Sequence, residues 1–456
     1  MSELLNQLNR RRFLMGVAGF GAAGFLAACG SGGTGNTATS GSGASSSGAA
    51  GGTGASSSGA AGGSDLSGSI TGLFMKQAGY SEDHINEMAA AFTKLHPNLK
   101  VNTEFVAYEA LHDKIVAAAP AGTYDLVFID VIWPAEFATK GIIADITGRI
   151  PSSWNDDVLK GALDSAVYQG KYYGVPWLLD SKFFYYNKDL LAKAEVDPAS
   201  VGTWDGVATA AKAIKDKAGV QYPLMWSWAQ AEAVICDWAL MTASMGGELF
   251  DKDGQPAFTQ GGAVQALEFM RKSIVDGITN PSSTQSLEDD VVKVFGAGDA
   301  AMGLNWSYML AAVNDPAQSK VPGQAVVTEV PDGGAGRISV NGSSALSLTA
   351  TSKNPDAAWE FAQYVSSYDV QSKYISDALP IWKKAYDDPK VIATAPDFVP
   401  VAKKQFDNMT GRPAVVAYNA VSQKLQVAVQ KALLGDVSPQ QAMDDVKPDV
   451  EKLLAQ

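Results

Sequence analysis

Between residues 69 and 131 the chain spells out strand, helix, strand, helix and strand in one unbroken run, and few folds accept that order. Residues 69–74 form a short apolar stretch expected to be a strand. Over 83–95, Ile85, Met88, Ala89, Phe92 and Leu95 recur at helical spacing on one face, and His96-Pro97-Asn98 stops the helix. Residues 100–106 alternate Val101, Thr103 and Phe105 against Asn102 and Glu104, the period of a strand. Residues 111–119 read as a second helix. Residues 125–131 (DLVFIDV) are apolar and β-branched without alternation, as in a parallel strand covered on both faces. The pattern predicts an α/β, doubly wound unit. Ligands in such sheets sit beyond the carboxyl ends of the strands, which points to residues 76–80, to Tyr108 and Glu109, and to 130–133.

Further helices are expected over 208–217, with Thr203 as N-cap before Trp204, and over 261–275, 355–366 and 415–434. Strands are expected over 183–186, 325–330 and 344–348. From about Asp65 to Gln456 the body is too long for one ordinary core, so two domains or lobes are expected.

What precedes Asp65 is of another kind. Arg10-Arg11-Arg12 introduces an uncharged apolar run over 13–28, followed by Leu26-Ala27-Ala28-Cys29. A run of that length falls short of the roughly 20 apolar residues a bilayer span needs, and a basic head with a short apolar core is an export signal. The arginines resemble a twin-arginine (Tat) leader, and 26–29 resembles a lipobox with Cys29 as the lipidated residue. Residues 30–64 hold only Gly, Ser, Ala, Thr and one Asn, and GASSSGAAGG occurs twice. Such a chain buries nothing and is expected to be a tether with a reach of roughly 30–35 Å. The formal net charge is −13. Residues 1–28 carry Arg10, Arg11, Arg12 and Glu3, so the chain after cleavage is near −15. That balance disfavours nucleic acid and anionic lipid as partners. With Cys29 taken by the anchor, Cys236 is expected to be a lone buried thiol. His84, His96 and His112 show neither HxxxH nor HExxH spacing, and no CxxC or GxxxxGK[ST] occurs, so no metal site or phosphate loop is expected.

Several segments, in order, resemble the carbohydrate-type solute-binding lipoproteins of bacterial ABC importers, the maltose, trehalose and glycerol-phosphate receptor group. They are 125–147 (DLVFIDVIWPAEFATKGIIADIT), 170–191 (GKYYGVPWLLDSKFFYYNKDLL), Thr203-Trp204-Asp205, 246–258 (GGELFDKDGQPAF), 298–306 (GDAAMGLNW), 354–365, and Arg412-Pro413 with Tyr418. The resemblance implies a two-lobed periplasmic-binding-protein fold of type II with an inter-lobe cleft and hinge. It implies residues 1–28 as a Tat-like lipoprotein signal peptide, 29–64 as a lipid-anchored tether, lobe one over 65–179 plus 350–395, and lobe two over 180–345 plus 396–456. It further implies a monomer without cofactor, touching the membrane only through its anchor and delivering solute to an ABC permease.

Sugars present flat C–H faces to aromatic rings and hydroxyl edges to carboxylates, amides and guanidinium groups. By that chemistry and the matched loops, the ligand-binding candidates are Gln77, Tyr80, Asp130, Trp133, Trp177, Asp180, Trp226, Trp228, Glu232, Trp306, Asn341, Gly342 and Arg412. For Arg412 the other reading is an inter-lobe salt bridge; for Asp130 it is capping the helix near Pro134. Trp204 and Trp359 are expected in the core. Paired tyrosines bind iron in a related receptor group, but alternation puts at least one of Tyr185 and Tyr186 in the core. The loop over 75–80 lacks the acid that many disaccharide receptors carry there, which favours a mono- or disaccharide or a polyol over a long maltodextrin. The competing expectations are a polyamine, peptide or sulfonate on the same fold, and a secreted glycoside hydrolase using two of Asp130, Asp180 and Glu232.

Overall fold

The computed structural model describes residues 66–76, 79–375 and 378–455. The expected leader over 1–28 and tether over 29–64, with Cys29, and Gln77 lie outside the described residues.

The framework strands are β1 (Gly68–Met75), β2 (Leu99–Val106), β3 (Leu126–Asp130), β4 (Val175–Leu178), β5 (Phe183–Asn187), β6 (Leu224–Met225), β7 (Met302–Asn305), β8 (Ala325–Thr328), β9 (Ser339–Val340), β10 (Ser344–Leu348) and β11 (Met409–Thr410). One sheet runs β2-β1-β3-β10-β4, with β1 parallel to β2 and β3 and β10 antiparallel to β3 and β4. A second runs β8-β5-β7-β6, antiparallel except for the β6–β7 pair. The continuous apolar runs become central strands: every residue of β3, β5 and β10 is buried. In β5 the alternation sends Phe183 and Tyr185 to one hydrophobic cluster and Phe184 and Tyr186 to the other, so both tyrosines are buried.

Flanking helices follow the spacing. α1 (Glu82–Leu95) buries Ile85, Met88, Ala89 and Phe92, while Leu95, its last residue, is 63% exposed. α2 (Tyr108–Ala118) begins one turn earlier than the apolar spacing indicates. α3 (Pro134–Thr139) starts on a proline, whose missing N–H costs nothing in a first turn. In α4 (Trp204–Ala213) Thr203 Oγ1 accepts the Gly206 N–H at 3.1 Å, the expected cap. α5 (Glu232–Ser244) gave no periodic signal because it is buried on all sides. α6 (Gly262–Val275), α7 (Glu288–Gly296), α8 (Pro355–Ser366), α9 (Tyr418–Leu434) and α10 (Pro439–Leu454) complete the framework. α10 carries Pro448 inside it, which hides the helix from a spacing argument.

The chain passes between the sheets at three places: from β4 to β5, from β8 to β10, and from α8, against the first core, to α9, against the second. These passages lie side by side. Gly342 N–H donates to Asp180 O at 3.1 Å and Asn341 N–H to Thr410 O at 2.8 Å, and β9 pairs in parallel with β11. The fold is thus an α/β, two-lobed architecture whose lobes are tied by neighbouring chain crossings.

α5 and α6 approach through glycine: a Cβ on Gly262 would fall 2.6 Å from Gly247 N and 2.8 Å from Thr242 O, both main-chain atoms. Gly262→Ala is therefore expected to destabilise the protein by about 1–3 kcal/mol, read from denaturant midpoints.

Candidate functional site

Where the crossings meet, a cavity of about 490 Å³ opens, within the range that holds small-molecule ligands. Its wall draws on strand ends, helix starts and crossings: Tyr108 and His112 from α2, Asp130 at the end of β3, Trp133, Asp180, Glu232 at the start of α5, Glu288 at the start of α7, Trp306 just after β7, Gly342 and Arg412.

Arg412 organises one side. Its Nη1 donates to Glu232 Oε1 at 2.8 Å, and its Nη2 donates to Asp130 Oδ1 at 3.0 Å and to Asn341 O at 3.3 Å. The guanidinium thereby joins a carboxylate from the first sheet to one from the helix of the second core. Tyr108 Oη donates to Asp130 Oδ2 at 2.7 Å, and Tyr418 and Ser422 of α9 donate to Glu232. Asp130 Oδ1 also accepts the Ile132 N–H at 3.3 Å, holding the turn into α3.

Trp306 forms another side. Its Nε1 donates to Glu288 Oε1 at 3.2 Å, and Lys182 Nζ lies 5.2 Å from the ring centroid. A Cβ on Gly342 would come 2.2 Å from Trp306 Cζ3, so only glycine lets the main chain lie against this indole. Behind the ring, fully buried Lys182 donates to Asp237 Oδ1 at 2.5 Å and Ser227 Oγ at 3.0 Å, with Glu288 Oε1 at 3.4 Å. Burial works against the Lys182 charge, but Asp237 and Glu288 overcome it and raise its pKa. Trp228 Nε1 donates to the other Asp237 oxygen at 3.0 Å.

On the third side Tyr108 stacks on Trp133, centroids 5.7 Å apart and planes 16° apart. His112 meets the edge of Trp133 and hydrogen-bonds Glu136 at 2.9 Å and Asp113 at 3.0 Å. Burial opposes its charge, yet those two acids raise its pKa above the ordinary value. Trp133 Nε1 is buried and has no hydrogen-bond partner among the described residues. Asp180 is 2% exposed. Burial raises its carboxyl to about 7, against the lowering effect of the Ser181 N–H at 2.8 Å and the Ser307 N–H at 3.3 Å.

Of the candidates named from sequence, the structure brings Asp130, Trp133, Asp180, Glu232, Trp306, Gly342 and Arg412 to the cavity wall. Trp226 and Trp228 stand elsewhere: fully buried, stacked 5.3 Å apart, with Trp226 Nε1 on Thr279 Oγ1. β6 is central to the second core, and both rings following it are drawn inward. Trp177 packs among Phe74, Tyr80 and Phe128 under the first sheet, and Tyr80 is buried beside it. Asn341 serves the crossings: its Nδ2 donates to Gly161 O and its Oδ1 accepts from Ser343 N–H. Arg412 makes the inter-lobe ion pairs and also lines the cavity. Cys236 is a free, buried thiol at the cavity wall. Tyr108, to which the strand-end rule pointed, also lines the cavity, whereas sequence reasoning did not reach His112, Lys182, Asp237, Glu288, Tyr308 or Ser422 as site residues. The one available signal was Lys182, a lone cation inside an otherwise apolar and aromatic strand segment.

Residues 78–372 match the family described as bacterial extracellular solute-binding protein. The maltose-bound MalE3 of T. maritima superposes with a TM-score of 0.78 at 30% identity, covering 85% of this chain and 100% of that one. A solute-binding protein of Agrobacterium radiobacter in complex with ribitol gives 0.76 at 26%, covering 84% and 98%. A binding protein of Brucella abortus is 25% identical over 381 residues, 81% of this chain and 90% of its own length.

Because the folded-state pKa of Asp180 stands near 7 rather than 3.8, the unfolded chain binds fewer protons there between those values. Stability from this residue is present at low pH and is lost as pH rises through that window, by roughly 4 kcal/mol in all. Asp180→Asn should remove this slope. Denaturant midpoints between pH 4.5 and 7.5 should show the variant gaining on the wild type as pH rises.

Proposed function

This chain belongs to the bacterial extracellular solute-binding proteins, the receptors of ABC transporters, and from that premise we propose that its solute is a sugar or polyol held at the junction of the crossings. The observation that carries the reading is the composition of the cavity wall: Trp306, Trp133 and Tyr108 interleaved with Asp180, Glu232, Arg412 and Asp130. Rings take the C–H faces of a sugar, and carboxylates and the guanidinium take its hydroxyl edges. The relatives solved with maltose and with ribitol bind the same class of solute. The cavity volume suits a mono- or disaccharide or a polyol better than a long oligomer.

In this reading the protein binds and releases without chemistry. Asp130 and Glu232, two of the acids a glycosidase would need, both accept hydrogen bonds from Arg412. Neither has the isolation by which an apolar pocket makes a general acid. Lobe one is read as 65–179 plus 350–395, and lobe two as 180–345 plus 396–456. Solute enters the open cleft, the lobes close by bending at the crossings, and an ABC permease receives the closed form. Cys29, lipidated after removal of a Tat-like leader, would hold a monomeric receptor at the outer face of the cell membrane by the 30–64 tether.

Two outcomes test this reading. A thermal-shift screen against sugars, polyols and polyamines should give its large shifts with one sugar or polyol class, since ligand at 100 times its Kd adds about 2.7 kcal/mol. Trp306→Ala should weaken that solute at least tenfold, about 1.4 kcal/mol. A response confined to polyamines would remove the sugar assignment. Separately, Cys29→Ala should move the protein from the membrane fraction to the soluble extracytoplasmic fraction. Retention in the membrane would refute the anchor.

A further inference from the structure

Asp180 has a place in the cavity that its surroundings do not balance. It is buried at the wall, where Oδ1 takes both main-chain N–H groups, from Ser181 and Ser307. The Ser307 hydroxyl also lies close enough to favour the charged form, but the side chain makes no ion pair among the described residues. A carboxylate in that position is costly unless a cation or donors reach it.

The cations near the cavity are already engaged. Arg412 is held by Asp130 and Glu232, Lys293 by Asp290 at 3.2 Å, His112 by Glu136 and Asp113, and Lys182 by Asp237 and Glu288. Asp289, also on the wall, accepts from the neutral Tyr308 hydroxyl at 3.0 Å. The wall is therefore anionic with no uncommitted positive group among these residues. An anionic solute would meet like charge there, and with a neutral solute Asp180 is relieved only by taking up a proton. An ammonium would neutralise Asp180 and could also rest against the aromatic faces of the wall.

We propose that the solute carries a basic nitrogen beside its hydroxyl groups, an amine-bearing sugar or polyol whose ammonium is received by Asp180. The inference rests on the sugar reading and narrows it. Phosphorylated and uronic sugars belong to the excluded class, and the charge of the nitrogen supplies the discrimination.

Calorimetric titration of the purified protein with matched sets decides it: glucose, glucosamine and glucose 6-phosphate, with equivalent sets built on galactose and mannose. The amine member of the responding set should bind at least tenfold tighter than its neutral parent, and the phosphate member at least tenfold weaker. Asp180→Asn should collapse the amine-to-neutral ratio at least tenfold, while Asp180→Glu, which keeps the charge, should retain most of it. If the neutral parent binds as well as the amine, or the ratio survives Asp180→Asn, this inference fails while the sugar reading stands. If sugars and amino sugars are both silent and spermidine binds, both fail.

Discussion

The buried guanidinium of Arg412 is the point on which the two halves of the structure depend. It is 7% exposed and shared by Asp130, which ends a strand of the first sheet, and Glu232, which begins a helix of the second core. Taking three charges out of water carries a desolvation penalty that their mutual attraction offsets only with good geometry and further hydrogen bonds. Those bonds are present: Asn341 O on the guanidinium, Tyr108 on Asp130, and Tyr418 and Ser422 on Glu232. The partners come from several elements, so the network specifies how β3, α2, α5, α9 and the crossing segments sit together. Loss of one partner would leave an uncompensated buried charge, which is why such a network enforces one arrangement more strongly than it stabilises the fold.

The same logic operates beneath Trp306. An indole at a cavity wall is useful as a binding surface only if its plane is fixed before the ligand arrives. Glu288 fixes the N–H, the main chain at Gly342 backs the benzenoid edge, and Lys182 approaches the ring from the interior. Lys182 is in turn held by Asp237, which Trp228 also contacts. Trp228, placed at the cleft by sequence argument, thus stands behind the Trp306 ring with Lys182 and Asp237 between them. Its hydrogen bond to Asp237 belongs to the support of the surface rather than to the surface.

How much of this could be read from sequence follows from what each feature depends on. The β1–α1–β2–α2–β3 unit was legible because its segments are local and patterned, whereas β4 in the same sheet was not expected, and α8 was legible to its ends because Asn354-Pro355 opens it. α5 was not, since a helix buried on every side has no apolar stripe to betray it. Asp130, Asp180, Trp306 and Arg412 could be named because family motifs run through them, and Gly342 because a small residue lets the main chain approach a ligand. Their reasons for being together could not, because Lys182 meets Asp237 across 55 residues and Arg412 meets Asp130 across 282. Trp226 and Trp228 were misplaced for an allied reason: a tryptophan beside a short strand faces the core or the cleft according to its strand partners, and these are set by long-range pairing of β6 with β7.

Three groups on the cavity wall, Asp180, Gly342 and Arg412, belong to the segments by which the chain passes between its lobes. This coincidence has a mechanical consequence. A ligand can shift a conformational equilibrium only through interactions that differ between the two conformations. Residues fixed deep within one lobe would touch the solute alike in both arrangements and bias neither. Under the proposed lobe closure, groups at the crossings would change their relation to Glu232, Trp133 and Trp306. If Asp180 receives an ammonium as proposed, a solute spanning Asp180 and the far wall favours the arrangement in which both are within reach, and a solute lacking that group exerts less of that bias. On the proposed reading, selection of cargo and selection of conformation rest on the same carboxylate.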